Sequence, residues 1–313
     1  MQIRAPIPSV SQHEAVFQEH SLLPATVDGA IWRYSPLYAK PGHFHAQVEF
    51  MMVLRGRATA RIGRELYPVH AGQLIWHLPA VEHELLDASS DLDMRIVHAE
   101  PDLCAQVART LRNQSERPVA SQEGNRNFAG WTRELGWLAS GRPVVELAGA
   151  DRDKLLEDCD VACSDGLLPA QSSVRLRSAL ANAWRATSRH HEETRASSVV
   201  ELACWLLLEQ PGLDRASVCR ALDVSESYLS RRFQSELGVS FAEQRARLRI
   251  GRFVTHVARE GKSYLEAALL SGFGSYSQLH RVFVQLVYVS PRIYFGAGIR
   301  NQRADLLSFG SGP

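Results

Sequence analysis

Near its C-terminus the chain reads VSESYLSRRF over residues 224–233 and GSYSQLHRVF over residues 274–283, which is one piece written twice. A serine, a leucine, an arginine and a phenylalanine of the first copy fall on the same residue types in the second. An internal repeat is a guide to architecture because each copy is expected to form the same local structure. The repeat therefore predicts two equivalent units in the C-terminal part of the chain.

Each copy is predicted to form an amphipathic helix with a capped start. Ser225 and Ser275 stand where a serine oxygen can accept a backbone N–H of the first helical turn. Leucine and phenylalanine then recur four residues apart, which places them on one buried face. The opposite face is polar and cationic, as suits a helix that enters the major groove of DNA. That face carries Ser227, Ser230, Arg231 and Gln234 in the first copy, and Gln278, His280 and Arg281 in the second.

A shorter helix is predicted before each copy, over residues 214–222 and 264–270, and completes a helix-turn-helix in both places. Between the two units, residues 241–260 favour one long helix with arginines on one side and apolar residues on the other. Two units on such a stiff helix would reach successive faces of the major groove, about 34 Å apart.

The repeat resembles the AraC/XylS family of bacterial transcription regulators. The resemblance rests on three motifs in order, SxxYLSRxFxxELGVS over 225–240, GFGSYSQLHRVF over 272–283 and SPxxY over 290–294. One departure is Tyr288, since the family usually has glycine there and Gly238 stands at the same place in the first copy. Glycine accepts a positive φ freely, so we expect Tyr288 to strain or reshape the end of its helix.

The resemblance also implies which side chains read DNA bases. Arg231 and Arg281 are the expected guanine readers, because a guanidinium matches the two acceptors on the guanine edge. The full expected set is Ser227, Ser230 and Arg231 in the first unit and Ser277, Gln278, His280 and Arg281 in the second.

Length and charge indicate that this DNA-binding part is joined to something else. A chain of 313 residues is too long for one helix-turn-helix domain and indicates about two domains. The net charge is only +1, but residues 214–313 hold 14 Lys and Arg against 8 Asp and Glu, while the rest holds 21 against 26. This balance favours a nucleic-acid-binding module on an acidic partner domain, although a solvated basic face would produce it too.

The cysteines and the apolar runs bear on the compartment. The five cysteines are odd in number and widely spread, and Cys159 and Cys163 lack the second pair that a zinc site needs. No signal-peptide pattern opens the chain, and the apolar run over 202–208 is far short of the roughly 20 residues of a membrane span. We therefore expect a cytoplasmic protein with reduced thiols and no membrane contact.

The N-terminal two thirds divide into a β part and a helical part. Residues 1–30 suggest an arm, and residues 31–99 carry many short strand patterns separated by turn signals, which favours a small sandwich or barrel. Their order resembles a cupin barrel, the usual partner of this DNA-binding unit in the family. Residues 101–210 indicate helices over 102–111, 128–139, 172–191 and 196–210. In the family such a segment often mediates dimer contact, but it could equally serve as a cover for the barrel.

The expected fold class is α+β, with an N-terminal cupin-like β-barrel and a helical segment, followed by an all-α domain with two helix-turn-helix units joined by a long helix. The expected limits are 1–100 for the ligand-sensing barrel, 101–210 for the helical and dimerisation segment, 211–296 for the DNA-binding domain and 297–313 for a flexible tail.

A cluster of ligand-type residues lies in HFHAQVE, residues 43–49. His43, His45 and Glu49 are all odd-numbered, so on a single strand they would share a face. With Gly56 they resemble the first cupin motif, His-x-His-x3-Glu-x6-Gly, whose His and Glu residues hold a divalent metal. His83 is the best match to the histidine of the second motif, although its spacing departs from the pattern. The resemblance thus implies His43, His45, Glu49 and His83 as candidate ligands for Zn, Fe, Mn, Ni or Cu.

Two further interpretations of this cluster stay open. In a metal-free pocket the ring nitrogens would hydrogen-bond a small-molecule effector, with Trp76 adding a stacking surface and His77 a donor. Alternatively, the same residues are satisfied polar groups at a barrel mouth. The candidate effector contacts are His43, His45, Glu49, Trp76, His77 and His83.

The predicted function is a sequence-specific DNA-binding transcription regulator of the AraC type that responds to a small-molecule effector in its barrel. The expected partners are double-stranded DNA, the effector, a second copy in a homodimer, and RNA polymerase. One alternative is a metal-dependent cupin enzyme, such as an isomerase or dioxygenase, with an attached DNA-binding domain. Another is a regulator without effector, set by its expression level or by a protein partner.

Overall fold

The computed structural model describes residues 17–18, 28–34, 42–115, 143–162, 169–191 and 199–296. Within them, ten strands form two five-stranded sheets. The first sheet has the order β1 (Phe17–Gln18), β3 (His43–Phe44), β8 (His83–Leu86), β5 (Arg57–Ile62) and β6 (Glu65–His70). The second has the order β10 (Val144–Glu146), β7 (Gln73–His77), β4 (Val48–Arg55), β9 (Asp93–Ala99) and β2 (Gly29–Tyr34). The expected β-rich N-terminal domain is confirmed.

The second sheet separates two apolar cores, because successive side chains of a strand point to opposite faces. Met51 and Ile75 lie in the core between the sheets, together with Ile96. Phe50, which precedes Met51, and Trp76, which follows Ile75, lie in the core on the outer face of the sheet. The barrel interior and the helix-covered surface are therefore set by alternate residues of the same strands.

Three helices cover that outer face: α1 (Pro101–Ser115), α2 (Gly149–Ala162) and α3 (Pro169–His191). Two of the predicted helices, over 102–111 and 172–191, are confirmed with longer bounds, whereas α2 has no counterpart in the prediction. The helix predicted over 128–139 and the tail over 297–313 lie outside the described residues. The segment 101–210 is also not helical throughout, because β10 pairs with β7 and completes the second sheet. A three-residue strand is too short to leave a period in the sequence.

The C-terminal part is all helical. It contains α4 (Val199–Glu209), α5 (Arg215–Leu222), α6 (Glu226–Glu236), α7 (Phe241–Ala258), α8 (Tyr264–Leu270) and α9 (Tyr276–Val287), with a further helical stretch over 291–296. The predicted N-caps are confirmed, since the hydroxyl of Ser225 accepts the N–H of Tyr228 and that of Ser275 accepts the N–H of Gln278. None of the described helices has the length and apolarity needed to cross a membrane.

The long helix α7 supports both helix-turn-helix units, each through its own core. Leu229 and Phe233 of α6 are buried together with Leu248 of α7. In the second unit, Phe283 of α9 is buried against Phe253 of α7, and their rings meet edge to face at 5.8 Å. Because one helix backs both units, it sets their relative placement. This confirms the two helix-turn-helix units on a shared long helix.

The arginine side of α7 has a structural task. The predicted arginines donate to main-chain carbonyls at and beyond the last turn of α4, where helix carbonyls have no intrahelical partner. The cations also suit the negative end of the α4 dipole. The pairs are Arg245 with Gly212, Arg249 with Pro211 and Arg252 with Leu208. They fix the joint between α4 and the DNA-binding part.

The end of α9 bears out the expectation for Tyr288. Its φ is +63°, in the left-handed region that side chains other than glycine rarely adopt. Gly238, at the same place in the first unit, has a φ of +75°. The two units thus turn in the same way, and the second does so with a tyrosine in a strained backbone conformation.

Candidate functional site

Both predicted DNA-contacting faces point outward. Arg231 and Arg281 are exposed at equivalent places on α6 and α9, and neither forms an ion pair within the part of the chain that the structure describes. The neighbouring Arg232, by contrast, is bound to Glu236 one helical turn on, at 2.6 Å. An exposed guanidinium with no internal partner keeps its donors available for a base edge or a phosphate.

The other predicted contacts flank these arginines, and one has a second task. Gln278 closes the start of α9, because its amide oxygen accepts the N–H of Gly274 at 2.8 Å. Only its NH2 group remains to donate outward. The ring of His280 lies edge-on to Tyr276, with centroids 6.0 Å apart. The remaining predicted residues follow the same face, with Ser227 and Ser277 exposed and Ser230 half-buried.

The second site is a cluster of imidazoles around one carboxylate inside the barrel, here called the histidine cluster. Each member is at most 4% exposed. Its members are His43, His45, Glu49, His77, His83 and His98. His98 is absent from the prediction; its only signal is that it shares its parity with Met94 and Ile96, which face the interior of the barrel.

Strand pairing assembles the cluster. Glu49 on the central strand β4 lies directly opposite His77 on β7 and His98 on β9. In the other sheet, His43 on β3 lies opposite His83 on β8. The prediction that His43, His45 and Glu49 share one face of a single strand is therefore wrong. The chain leaves β3 after residue 44 and enters β4 at residue 48, so the cluster forms between two sheets.

Trp76 does not join the cluster, which corrects its expected role as a stacking surface beside His77. Adjacent residues of a strand point to opposite faces. Its indole N–H donates to the hydroxyl of Thr187 on α3 at 3.0 Å, and its ring packs on Phe50 at 5.0 Å in the outer core.

Hydrogen bonds fix the tautomers of two cluster imidazoles. Nδ1 of His45 donates to the carbonyl of Gln47 at 3.1 Å, and Nδ1 of His83 donates to the carbonyl of Val81 at 3.0 Å. A carbonyl can only accept, so in a neutral ring the proton is on Nδ1 and Nε2 carries a lone pair. Both Nε2 atoms face Glu49, at 3.3 Å from Oε2 and 3.6 Å from Oε1 respectively. Lone pairs therefore face carboxylate oxygens.

Burial and neighbouring charges set the protonation of the cluster. Burial alone would raise the pKa of Glu49, but neighbouring imidazoles, His98 above all, outweigh burial and hold the pKa well below its ordinary value. Burial lowers the pKa of His77 to about 4, against the opposing pull of Glu49. Burial and His77 likewise lower the pKa of His83 well below its usual value. An ionised Glu49 beside neutral His77 and His83 is the protonation state in which these side chains can ligate a divalent metal.

The donor set fits a metal ion on structural grounds. Among the residues that the structure describes, four buried ligand atoms of the cluster have no hydrogen-bond partner: Oε1 of Glu49, Nε2 of His83 and both ring nitrogens of His77. An unsatisfied buried polar atom costs about 1–3 kcal/mol, so this arrangement is expensive as it stands. The donors form three triads, each with its atoms within 4.8 Å of one another. When bound, a divalent transition-metal ion supplies the positive charge that the facing lone pairs lack.

The cluster touches the DNA-binding part through β3 and the loop after it. Between His43 and His45, the side chain of Phe44 is buried in the core of the first helix-turn-helix unit. The guanidinium of Arg247 on α7 lies 5.1 Å from the centre of that ring. At Gly251 the backbone of α7 comes so close to Ala46 that an added Cβ would meet the Ala46 Cβ at 3.0 Å. Phe44 and Ala46, which contact the DNA-binding part, are thus immediate chain neighbours of the cluster residues His43 and His45.

A cleft of about 390 Å³ lies beside this contact, between the barrel and α7. Its lining includes Ala46 and Glu100 from the barrel side, Glu209 from α4, and Arg252 and His256 from α7. Its volume is within the roughly 300–1,000 Å³ typical of small-molecule pockets. The rings of the histidine cluster, by contrast, touch one another with centroids 4.3–4.9 Å apart along the chain of contacts from His43 to His98.

Comparisons with known proteins agree with this architecture. The model of an AraC-like ligand binding domain matches residues 24–147, and that of a helix-turn-helix domain matches residues 218–297. Fatty-acid-bound ToxT from Vibrio cholerae is 14% identical, the match covering 85% of this chain and 93% of that one at a TM-score of 0.47. The AraC-like transcriptional activator CuxR is 15% identical, covering 78% of each chain at 0.33.

A Cupin 2 conserved barrel domain protein from Salinispora arenicola is 22% identical, with 27% of this chain and 70% of that one covered at a TM-score of 0.21. No curated protein matches the chain. The two domain models match the β-rich domain and the paired helix-turn-helix units in the order in which the structure places them. The chain is a member of the AraC/XylS family, built of an AraC-like ligand-binding domain and a C-terminal double helix-turn-helix domain.

Proposed function

We propose that the protein is a sequence-specific DNA-binding transcription regulator whose barrel senses a divalent transition-metal ion at the histidine cluster. The observation that carries the DNA-binding half is the pair Arg231 and Arg281, exposed and without an ion-pair partner in the described residues, at equivalent places on two capped helices. Phosphate contacts would supply affinity, and these two guanidinium groups would supply sequence choice at guanine edges.

The metal half rests on the unsatisfied donors of the cluster. An organic effector in the cluster is disfavoured because the imidazole rings contact one another and each member of the cluster is at most 4% exposed. An organic effector in the cleft between barrel and α7 is the second candidate, supported by the volume of that cleft. The enzyme alternative is disfavoured by the same burial, since a substrate has no open approach to the carboxylate of Glu49.

Metal binding at the cluster would be transmitted to the DNA-binding helices through β3. His43 and His45 belong to the cluster, whereas Phe44 between them lies in the core that supports α6. A movement of the two histidines would therefore displace Phe44. A second connection runs from Gln47 to Glu100 at 3.0 Å and from Glu100 to Arg259, just past α7, at 2.7 Å. Drawing the loop over 45–47 toward the cluster would change how α7 rests on the barrel.

The wider organisation is part of the same proposal. The units are a sensing barrel over 1–100, a helical segment over 101–210 that carries homodimer contact, and a DNA-binding domain over 211–296. A cytoplasmic location and contact with RNA polymerase follow from the role of a transcription regulator.

The test is selection of bound DNA from a random pool, followed by affinity measurements on the selected site and on random DNA. Arg231→Ala should weaken binding to the selected site by about 1–3 kcal/mol, or roughly 5- to 150-fold, with little change on random DNA. Arg232→Ala is the matched control, since Glu236 already holds that guanidinium. An equal loss on both DNAs would make Arg231 a phosphate contact, and a pool without any enriched sequence would end the proposal.

A further inference from the structure

We propose that the histidine cluster binds two divalent transition-metal ions bridged by the carboxylate of Glu49, and not the one ion that the cupin resemblance implies. This inference specifies the effector of the proposed regulator and rests on that function. One ion would be held by His77, His83 and Oε1 of Glu49, and the other by His45, His98 and Oε2.

The two oxygens of Glu49 face different pairs of imidazoles. Oε1 lies 3.8 Å from Nε2 of His77 and 3.6 Å from Nε2 of His83. Oε2 lies 3.3 Å from Nε2 of His45 and is hydrogen-bonded to Nε2 of His98. Each oxygen thus belongs to a triad of its own, and a carboxylate with one triad per oxygen is arranged as a bridge.

Strand order keeps the two triads apart. His77 and His98 are cross-strand neighbours of Glu49 on opposite sides of β4, so their strands lie roughly 9–10 Å from each other. The two histidines share no triad. Two nitrogen ligands of one ion lie at most about 4.2 Å apart, because metal–nitrogen bonds are about 2.0–2.1 Å long. The ligand atoms of each triad, within 4.8 Å of one another, would therefore need to move together only slightly to bind an ion.

The number of donors also exceeds what one ion uses. Five imidazoles and two carboxylate oxygens converge here, whereas one zinc-type site takes about four donors and an octahedral site six. A single ion held by Glu49, His77 and His83 would leave the triad at Oε2 without an ion. His43, whose donor atom forms the third triad with His45 and His83, lies between the two positions and can complete either set.

The experiment uses the full chain, stripped with a chelator and titrated with Co(II) while its visible absorption is followed, with zinc content measured after reconstitution. We expect two equivalents. The paramagnetic resonance signal of the singly loaded protein should diminish on full loading, because a bridging carboxylate couples the two ions. One equivalent in the wild-type chain overturns the inference but leaves a metal-sensing regulator.

Variants assign the positions. His98→Ala and His77→Ala should each keep one equivalent, and Glu49→Gln should weaken both. His70→Ala is the matched control, since this imidazole is exposed on β6 and should leave both equivalents in place. Loss of all binding in both His98→Ala and His77→Ala, with folding verified by circular dichroism, would show one shared ion. If a variant does not fold, the wild-type stoichiometry still decides. If the wild type binds no metal, metal sensing is overturned as well. The DNA affinities of Arg231→Ala test sequence-specific DNA binding independently of metal.

Discussion

The strained end of α9 gives a prediction whose size can be worked out. Tyr288 has a φ of +63°, and its side chain is 64% exposed and outside the core of the second unit. A left-handed conformation costs an L-residue about 1–2 kcal/mol, which Tyr288→Gly would relieve. The greater conformational freedom of glycine in the unfolded chain reduces that gain by about 0.4–1 kcal/mol. The net stabilisation of α9 is therefore expected at about 0.5–1 kcal/mol.

Hydrogen exchange of the α9 amides is the suitable assay, since it reports on one unit of a multidomain chain. The expected gain corresponds to roughly two- to fivefold slower exchange over residues 276–287. Gly238→Ala is the paired control with the opposite sign, because φ there is +75° and an added Cβ would clash with Nε of Arg64. It should speed exchange in α6. Unchanged or faster exchange in Tyr288→Gly would mean that the ring contributes more than the backbone strain costs, which refutes the reasoning.

Two other predictions concern the barrel and its contact with α7. Trp76→Phe removes the hydrogen bond to Thr187 and should lower the free energy of unfolding by about 1 kcal/mol, measured by thermal unfolding. Because Trp76 faces away from the histidine cluster, the number of Co(II) ions bound should not change. A changed number would contradict that orientation. Gly251→Val places a methyl-bearing Cβ against Ala46 and should destabilise the full chain by about 1–3 kcal/mol, seen as a lower melting temperature. Gly251→Ala is its control, in which a gain in helix propensity of up to about 1 kcal/mol opposes the tight contact, and equal melting temperatures for both variants would argue against close packing here.

The arginines of α7 show how a correct sequence pattern can carry a different meaning in the fold. The periodicity places Arg245, Arg249 and Arg252 on one side of a long helix, which a DNA-binding protein could offer to phosphates. In the structure they bind the carbonyls at the end of α4. Burial, followed by the charge of Arg245, lowers the pKa of Arg249 to about 10. Its guanidinium also lies 5.6 Å from the centre of the Phe273 ring. These contacts position α7 against the end of α4.

Features that depend on neighbours a few residues away can be predicted from the amino-acid sequence alone. The caps at Ser225 and Ser275, the buried Leu and Phe stripe, the outward polar face and the left-handed turn at Tyr288 all follow from helical period and local backbone preference. These interactions span at most one or two turns, so sequence spacing is sufficient to place them.

The composition of the histidine cluster, by contrast, is visible only in the folded chain. His98 enters it and Trp76 leaves it because of strand register, and register depends on pairings between residues far apart in the chain. A shift by one residue would exchange the two faces of a strand, and no local pattern records which pairing is made. For the same reason the contacts of Phe44 and Ala46 with the DNA-binding part could not be read from sequence. They exist because two distant segments fold onto one another and bury a common core.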